Sequence, residues 1–456
     1  MKGVGDRGIS CVKKMGVKVV KFGGSSLADA NQFRKVAEII RSDEKRKFVV
    51  PSAPGKRYSD DIKVTDMLYS CYELAKKGEN ISEQFGKIKE RYNGIISDLG
   101  MTLSLDKEFD EIEYCLKAKS GRDYAASRGE YLNGIILAAY LGYEFIDAAE
   151  VIFFDDNGTF MLEKTIEAVR ERIKNTEHAV IPGFYGITLN DTIKTFSRGG
   201  SDVTGSIIAR AVHAEIYENW TDVSGFLIAD PRIVESAKVI KTITYKELRE
   251  LSYMGATVLH EDAIFPVRTA GIPINIRNTN DPSAPGTMIV AEDNSEEESK
   301  TTITGIAGKK GFCAINIEKS MMNGEIGFVK KILDILYKNN LSFEHIPSGI
   351  DTMSIVLSSA SLEGKEESLI SQIRREVNPD HIEVEHNIAL LAVVGHGMYK
   401  TRGTAARVCA ALSHARINIK MIDQGSSELN IIVGIGENDF EDAIRCIYSA
   451  FIDSAE

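Results

Sequence analysis

The sequence predicts an α/β fold: a largely parallel central sheet in three layers with helices, followed by a duplicated βαββαβ unit. Three observations predict it. Short β-branched runs alternate with amphipathic helical patterns up to about residue 290. Two Gly-Gly-Ser turns, at Gly23–Gly24 and Gly199–Gly200, each join a strand to a helix. The C-terminal part repeats itself 76 residues apart without a gap, so that Gly327 matches Gly403, Leu336 matches Leu412, Ile346 matches Ile422 and Ile355 matches Ile431.

Residues 1–16 read as an N-terminal extension, with the folded chain starting at Val17. VKVVKF (17–22) is short, apolar and β-branched, and glycines bound it: a buried strand. DANQFRKVAEIIRSD (29–43) sets Phe33, Val36, Ala37 and Ile40 on one helical face. KFVVPSAPG (47–55) is a second strand running into a Pro/Gly loop. Helical patterns cover 64–77, 82–98, 107–118 and 126–141, and strand-like runs return at 143–148, 178–184, 214–222 and 272–278. Together these make a first domain over 17–290. AEDNSEEESKTT (291–302) is acidic and lacks large apolar side chains, as a linker does. The repeats then occupy 303–385 and 386–456. Each holds an apolar strand (311–317 or 389–395), an amphipathic helix, two strands around a glycine turn, and a polar-rich helix near 362–376 or 438–451.

Composition removes several function classes. Lys and Arg number 55 against 66 Asp and Glu, a net charge of -11, which opposes nucleic acid as a main partner. The 6 cysteines are scattered with no C-x-x-C, so neither a disulfide framework nor a zinc site is expected. The 8 histidines form no H-E-x-x-H, and no metal held by protein ligands alone is expected. No apolar run reaches the roughly 18 residues of a membrane span, and the N-terminus has no apolar signal core. A cytoplasmic protein is expected.

Chemistry concentrates in the turns. In K-F-G-G-S-S (21–26), glycines let the backbone approach an anion, free N–H groups open the helix, and Lys21 adds a mobile charge. The same residues also suit a plain tight turn, and the loop is not a Walker A motif. F-S-R-G-G-S-D (196–202) is the second such turn; Arg198 suits a carboxylate, and Asp202 either serves the site or caps the helix. W-T-D-V-S-G (220–225) with A-D-P-R (229–232) ends a strand at Thr221 and Asp222, which also suit an Asx-turn. S-R-G-E (127–130) reads as a capping signature at a helix start unless its first turn faces the same cleft.

Taken in order, KFGGSS, SAPG with VTD (52–66), SRGE, SRGGSD, TDVSGFLIADPR and QGSSE (424–428) resemble the aspartokinases over nearly the whole chain from Val17. The resemblance implies an amino-acid-kinase fold followed by two ACT regulatory domains. It implies transfer of the ATP γ-phosphoryl group to the side-chain carboxylate of L-aspartate, giving 4-phospho-L-aspartate, at the head of lysine, threonine and methionine biosynthesis. Carried over by residue, it places Lys21, Gly23, Gly24 and Asp202 in catalysis, Asp202 orienting the cations. It gives Ser52, Thr65, Glu130, Arg198, Gly199, Gly200 and Ser201 to aspartate, with Glu130 on the ammonium and Arg198 on the carboxylate. Lys21, Phe22, Gly23, Gly24, Ser25, Thr221, Asp222 and Arg232 fall to the nucleotide, ATP, which carries Mg²⁺ with it. Two departures stand out: G-A-T-V-L-H-E (255–261) has Thr257 where the family has a lysine, and Leu227 replaces an aromatic.

The chemistry agrees with that assignment. A carboxylate nucleophile is already ionised, so no general base is needed, and no Ser-His-Asp or Cys-His pair is visible. A monofunctional enzyme is expected, because a fused homoserine dehydrogenase needs a dinucleotide fingerprint. Its rivals are a kinase of the same fold acting on acetylglutamate, a nucleotide or carbamate, and a catalytically weak amino-acid-sensing ACT protein. For control, MMNGEIGF (321–328) and SFEHIPSGID (342–351) supply Met321, Gly324, Phe328, Ser342, Glu344 and Asp351 as an effector site. L-Lysine is the expected effector, alone or with threonine, in a homodimer or higher homo-oligomer formed through the ACT domains. The other reading of that region is a unit that only dimerises the enzyme.

Overall fold

The computed structural model describes residues 16–197, 199–255, 259, 261–292 and 302–453. The chain forms two compact units, Met1–Phe226 with Leu259–Glu292, and Leu227–Val258 with Asp293–Glu456. No described helix is long and apolar enough to cross a membrane.

In the first unit, KVVKF forms the strand Lys18–Phe22, whose Val19, Val20 and Phe22 are wholly buried. It pairs in parallel with Arg46–Pro51 on one side and Ile216–Thr221 on the other. Within the unit the order runs Glu144–Phe145, Ala179–Val180, Arg46–Pro51, Lys18–Phe22, Ile216–Thr221, Ile274–Asn278 and Thr287–Val290. Only the last of these pairings is antiparallel. A parallel sheet needs cover on both faces. Val20, Phe22, Val49, Val180 and Trp220 share one core with the helices Ala30–Arg41, Val64–Lys77, Ser82–Asp98, Asp106–Lys117 and Arg122–Leu141. The helix Gly200–Ala211 packs on the opposite face, against Glu261–Thr269.

The long periodic helices lie within a few residues of their expected places. The last of them begins at Arg122, after Gly121 with φ of 99°. This puts SRGE one turn inside the helix, so Glu130 is no capping residue. YEFIDA and HAVIPGF give two-residue strands only. Asp147 closes the first by capping Ala148–Val151, and Pro182 and Gly183 follow the second. Tyr185–Thr188, Leu162–Arg172 and Tyr245–Tyr253 are not among the expected elements, although Thr244 and Glu247 form a capping box at the start of the last.

In the second unit the repeat is visible in the backbone. Gly305–Glu318 and His381–Val394 are 14-residue strands at equivalent positions, and they pair with each other antiparallel. The helices Phe328–Lys338 and Thr404–His414 follow Gly327 and Gly403, whose φ values of 84° and 87° favour glycine. The copies share one five-stranded sheet in the order Thr352–Ser358, Gly305–Glu318, His381–Val394, Asn430–Gly436 and Ile419–Asp423. Register shifts between Lys309 and Ala314 split the first long strand. Phe312–Glu318 pairs with Thr352–Ser358, whereas Gly305–Lys309 pairs only with Leu390–Val394, beside Asn430–Gly436. The expected division between 385 and 386 therefore falls inside a shared strand.

Candidate active site

Alternation along the strand sends Lys21 to the face opposite Val20 and Phe22. Its Nζ lies 2.6 Å from Asp202 Oδ1 and donates to Asn219 Oδ1 at 3.3 Å. Asn219 Nδ2 donates back to Asp202 Oδ1 at 2.9 Å, closing a triangle. Lys21 is 8% exposed, so it reaches the carboxyl edge of the sheet without being free in solvent. Asp202 sits in the first turn of its helix, which Gly199 rather than Asp202 caps. Just beyond Phe22, the Gly23 N–H donates to Trp220 O at 3.0 Å, tying the glycine turn to the neighbouring strand.

The SAPG loop bridges that turn to SRGE. Gly55 N–H donates to Gly24 O at 2.8 Å, and a Cβ on Gly55 would lie 2.6 Å from the Gly24 carbonyl carbon. Both positions thus require glycine for close backbone approach. Ser52 N–H donates to Phe22 O at 3.1 Å, and Asn133 Nδ2 donates to Ser52 O at 2.7 Å. Arg91 fastens the loop from below, donating to Gly55 O at 2.8 Å, Ala28 O at 2.9 Å and Asp61 Oδ2 at 2.7 Å. Hydrogen bonds from Arg57 and then Arg91 hold the Asp61 carboxyl far below the usual carboxylate range.

Glu130 is 6% exposed and its Oε2 has no partner among the described residues. Burial pushes its carboxyl up to about 8, against the lowering effects of the Ala53 N–H and the Arg128 charge. A buried acid with an empty oxygen suits a cation supplied from outside.

The other sequence-derived residues lie as follows. Thr65 is half-buried in the first turn of Val64–Lys77. Gly200 and Ser201 are buried beneath Phe184 and Gly183, and Ser25 is half-buried. Thr221 Oγ1 donates to Asp222 Oδ1 at 3.1 Å, and Asp222 is exposed. Arg232 belongs to the second unit and is 2.6 Å from Asp230. Leu227 is in that unit also. Arg198 and Thr257 lie outside the described residues. Of the effector residues, Glu344 accepts a hydrogen bond from Tyr253 Oη, and Asp351 Oδ1 accepts the Met321 N–H at 2.8 Å. Gly324 N–H donates to Met321 O at 3.0 Å, and Ser342 is exposed. Phe328 is 2% exposed and packs in the core of the first repeat.

Sequence reading missed Asn219, Asn133, Gly55 and Arg91. For Asn219 a signal existed: an amide inside the strand AEIYENWTD, where a buried parallel strand calls for apolar residues. Arg91 gave none, because only packing shows that a helical arginine turns inward.

An amino acid kinase family model matches residues 16–278, and an ACT domain model matches 391–451. Aspartokinase 3 of Bacillus subtilis (strain 168) is 40% identical over 451 residues, 95% of this chain and 98% of that protein. The crystal structure of Clostridium acetobutylicum aspartate kinase matches with a TM-score of 0.88 at 55% identity, covering 96% of this chain and 100% of that one. E. coli aspartokinase III, solved with aspartate and ADP, has a TM-score of 0.70 at 24% identity over 95% of this chain and 99% of its own, and shares the fold. Near full-length coverage in both directions extends the likeness from the glycine turns to the C-terminal repeats. This chain belongs to the aspartokinases of the amino acid kinase family.

Proposed function

We propose that this chain is an aspartate kinase, which passes the γ-phosphoryl group of ATP to the side-chain carboxylate of L-aspartate. The observation that carries the reading is the Lys21–Asp202–Asn219 triangle beside the Gly23–Gly24 turn. A carboxylate oxygen of aspartate attacks the γ-phosphorus. The bond from that phosphorus to the β,γ-bridging oxygen breaks, and ADP leaves with the electron pair. No proton has to move, so the protein's work is positioning and charge. Lys21 and the turn N–H groups face the phosphoryl oxygens as negative charge shifts onto the leaving group. Glu130 takes the substrate ammonium and Arg198 its α-carboxylate, with Ser52, Thr65 and Gly199–Ser201 shaping the pocket. Thr221, Asp222 and Arg232 serve the nucleotide.

The residues present fit a Mg²⁺ ion that arrives with ATP. No group of three His, Cys, Asp or Glu side chains placed to hold a metal occurs among the described residues. Mg²⁺ bound to phosphates needs only one or two protein carboxylates, and Asp202 is the residue that would hold it. Bound there, the ion would neutralise charge across the β- and γ-phosphates. An ADP-release assay with ATP, Mg²⁺ and L-aspartate tests the reading. Aspartate-dependent ADP release is expected; release with acetylglutamate instead, or none at all, overturns it.

The reading includes a cytoplasmic location and inhibition by L-lysine, alone or with threonine, at the C-terminal repeats of a homo-oligomer. Glu344 and Asp351 offer carboxylates to a basic amino acid, whose ammonium must displace the Tyr253 hydroxyl from Glu344. Lysine inhibition that persists at saturating aspartate and weakens in Glu344→Ala is expected. Inhibition fully overcome by aspartate places lysine in the active site instead.

A further inference from the structure

The face of the sheet opposite Lys21 gathers charge around Trp220, the 1 tryptophan of the chain. Register places Glu218 and Trp220 on that face, with Arg277 directly beside Trp220. Most of these groups are satisfied. Arg46 donates to Glu218 from Nε at 2.9 Å and Nη2 at 3.3 Å, and Trp220 Nε1 donates to Glu218 Oε2 at 2.8 Å. Lys18 Nζ is 2.9 Å from Asp43 and 3.5 Å from Glu218.

Arg277 differs. Its guanidinium lies 4.5 Å from the Trp220 ring centroid and donates only to backbone, to Pro282 O at 2.6 Å and Ala284 O at 3.4 Å. Its Nε is buried without a partner among the described residues, and so is Oδ1 of the adjacent Asn275. Among the described residues no carboxylate pairs with it, while Arg46 stands over the same ring at 5.3 Å. Burial lowers its pKa, with Glu218 opposing and Arg46 adding to the effect. A cavity of about 350 Å³ opens at this point, lined by Lys18, Ser42, Asp43, Arg46, Trp220 and Arg277. Three cations there face two carboxylates, a surplus of one positive charge.

We infer that this cavity is a binding site for a compact oxyanion of phosphate size, held by Arg277 and Lys18 and separate from the catalytic site. A half-buried guanidinium with no carboxylate is costly. Its place over the Trp220 ring and its bonds from Nη2 to Pro282 O and Ala284 O hold the guanidinium still, leaving Nη1 as the donor with no partner among the described residues to meet an oxyanion. Lys18 also lines the cavity, whereas the Ser42 hydroxyl is already committed, donating to Ile39 O at 2.7 Å and accepting from Arg46 at 2.9 Å. The volume leaves room for the anion with part of its water shell.

Trp220 is its own reporter. The test is to follow tryptophan emission while inorganic phosphate replaces chloride at constant ionic strength. Trp220 O also accepts the Gly23 N–H, so phosphate in the active site would reach the same signal. Lys21→Ala separates the two. A saturable emission change is expected in the wild type, kept in Lys21→Ala and weakened about tenfold or more in Arg277→Met. Saturation unchanged in Arg277→Met, or lost in Lys21→Ala, overturns the inference. So does a signal that never saturates. Lys18→Met, at the rim, carries the same test if Arg277→Met does not fold, with several-fold weaker phosphate binding expected and unchanged binding counting against the site.

Discussion

The two faces of the central sheet treat buried charge in opposite ways. On the face toward Gly200–Ala211, Lys21 meets Asp202 with side-chain exposures of 10% and 18%. On the other face, Arg46 meets Glu218 with exposures of 6% and 2%. The pairs are chemically alike. Their difference is one of access. Arg46 and Glu218 sit on the strands that flank Lys18–Phe22, so their bond ties the sheet together and leaves nothing for a ligand. Lys21 and Asp202 join a strand end to a helix start and keep more exposure than the other pair. Desolvation makes buried ion pairs poor sources of net stability. The first pair keeps a role as a staple, and the second has one only if a substrate uses it.

That contrast is broken most directly by removing one cation from each face. Lys21→Ala should lower kcat by about 10²–10³, roughly 3–4 kcal/mol of transition-state stabilisation, with little loss of fold. Arg46→Ala leaves the buried Glu218 carboxylate with only the Trp220 N–H and Lys18 at 3.5 Å, and should cost about 3 kcal/mol of stability while the folded fraction keeps near-normal kcat. Denaturant titration and steady-state kinetics on both variants decide the matter. Unfolding of Lys21→Ala to the same degree as Arg46→Ala would erase the distinction between the faces.

Glu130 sharpens the comparison, because it is a buried carboxyl with no ion pair and with Oε2 unpartnered among the described residues. Burial pushes its carboxyl up to about 8, well above the usual carboxylate range. A raised acid favours its protonated form in the fold, so its contribution to stability is present at low pH and is lost as pH rises through about 8. The ammonium of aspartate needs the ionised form. Apparent aspartate affinity should therefore improve by nearly tenfold per pH unit below about 8 and flatten above it, with proton release on binding. Calorimetric titration in buffers of differing ionisation enthalpy measures that release. Glu130→Gln should bind aspartate weakly, show no such slope, and gain stability over the wild type on the alkaline side. A wild-type slope of zero between pH 6 and 8 would mean that Glu130 is already ionised or does not meet the ammonium.

Much of this was legible in the sequence where periodicity is strong. The helices 64–77 and 82–98 and the 76-residue repeat stand out because each repeats one physical requirement many times. The glycine turns were legible because Gly24 has no room for a Cβ, which would lie 2.8 Å from Ala53 O. What stayed hidden depends on register and on inward-turned side chains. That Arg46 would face Glu218, or that the two repeats would share a sheet, follows from pairings between residues far apart in the chain.

Asn219 gives the smallest expected effect and the finest discrimination between the faces. It stands between Glu218 and Trp220, which point to the staple side, and it alone of the three points to Lys21. Its amide accepts from Lys21 Nζ at 3.3 Å and donates to Asp202 Oδ1 at 2.9 Å, so it fixes both partners without adding charge. Asn219→Ala leaves the 2.6 Å contact between Lys21 and Asp202 in place but frees each to rotate. A hydrogen bond to a charged group is worth about 1.5–3 kcal/mol, and because Lys21 and Asp202 keep their own contact the lower end, some tenfold in kcat, is expected if the loss is felt in the transition state. Asn219→Asp should do more harm, since a second carboxylate would compete with the phosphoryl oxygens for Lys21. The order of kcat, wild type above Asn219→Ala above Asn219→Asp, separates an orienting amide from a filler of space. Equal losses in the two variants would assign Asn219 to packing, and the triangle would then reduce to the Lys21–Asp202 pair.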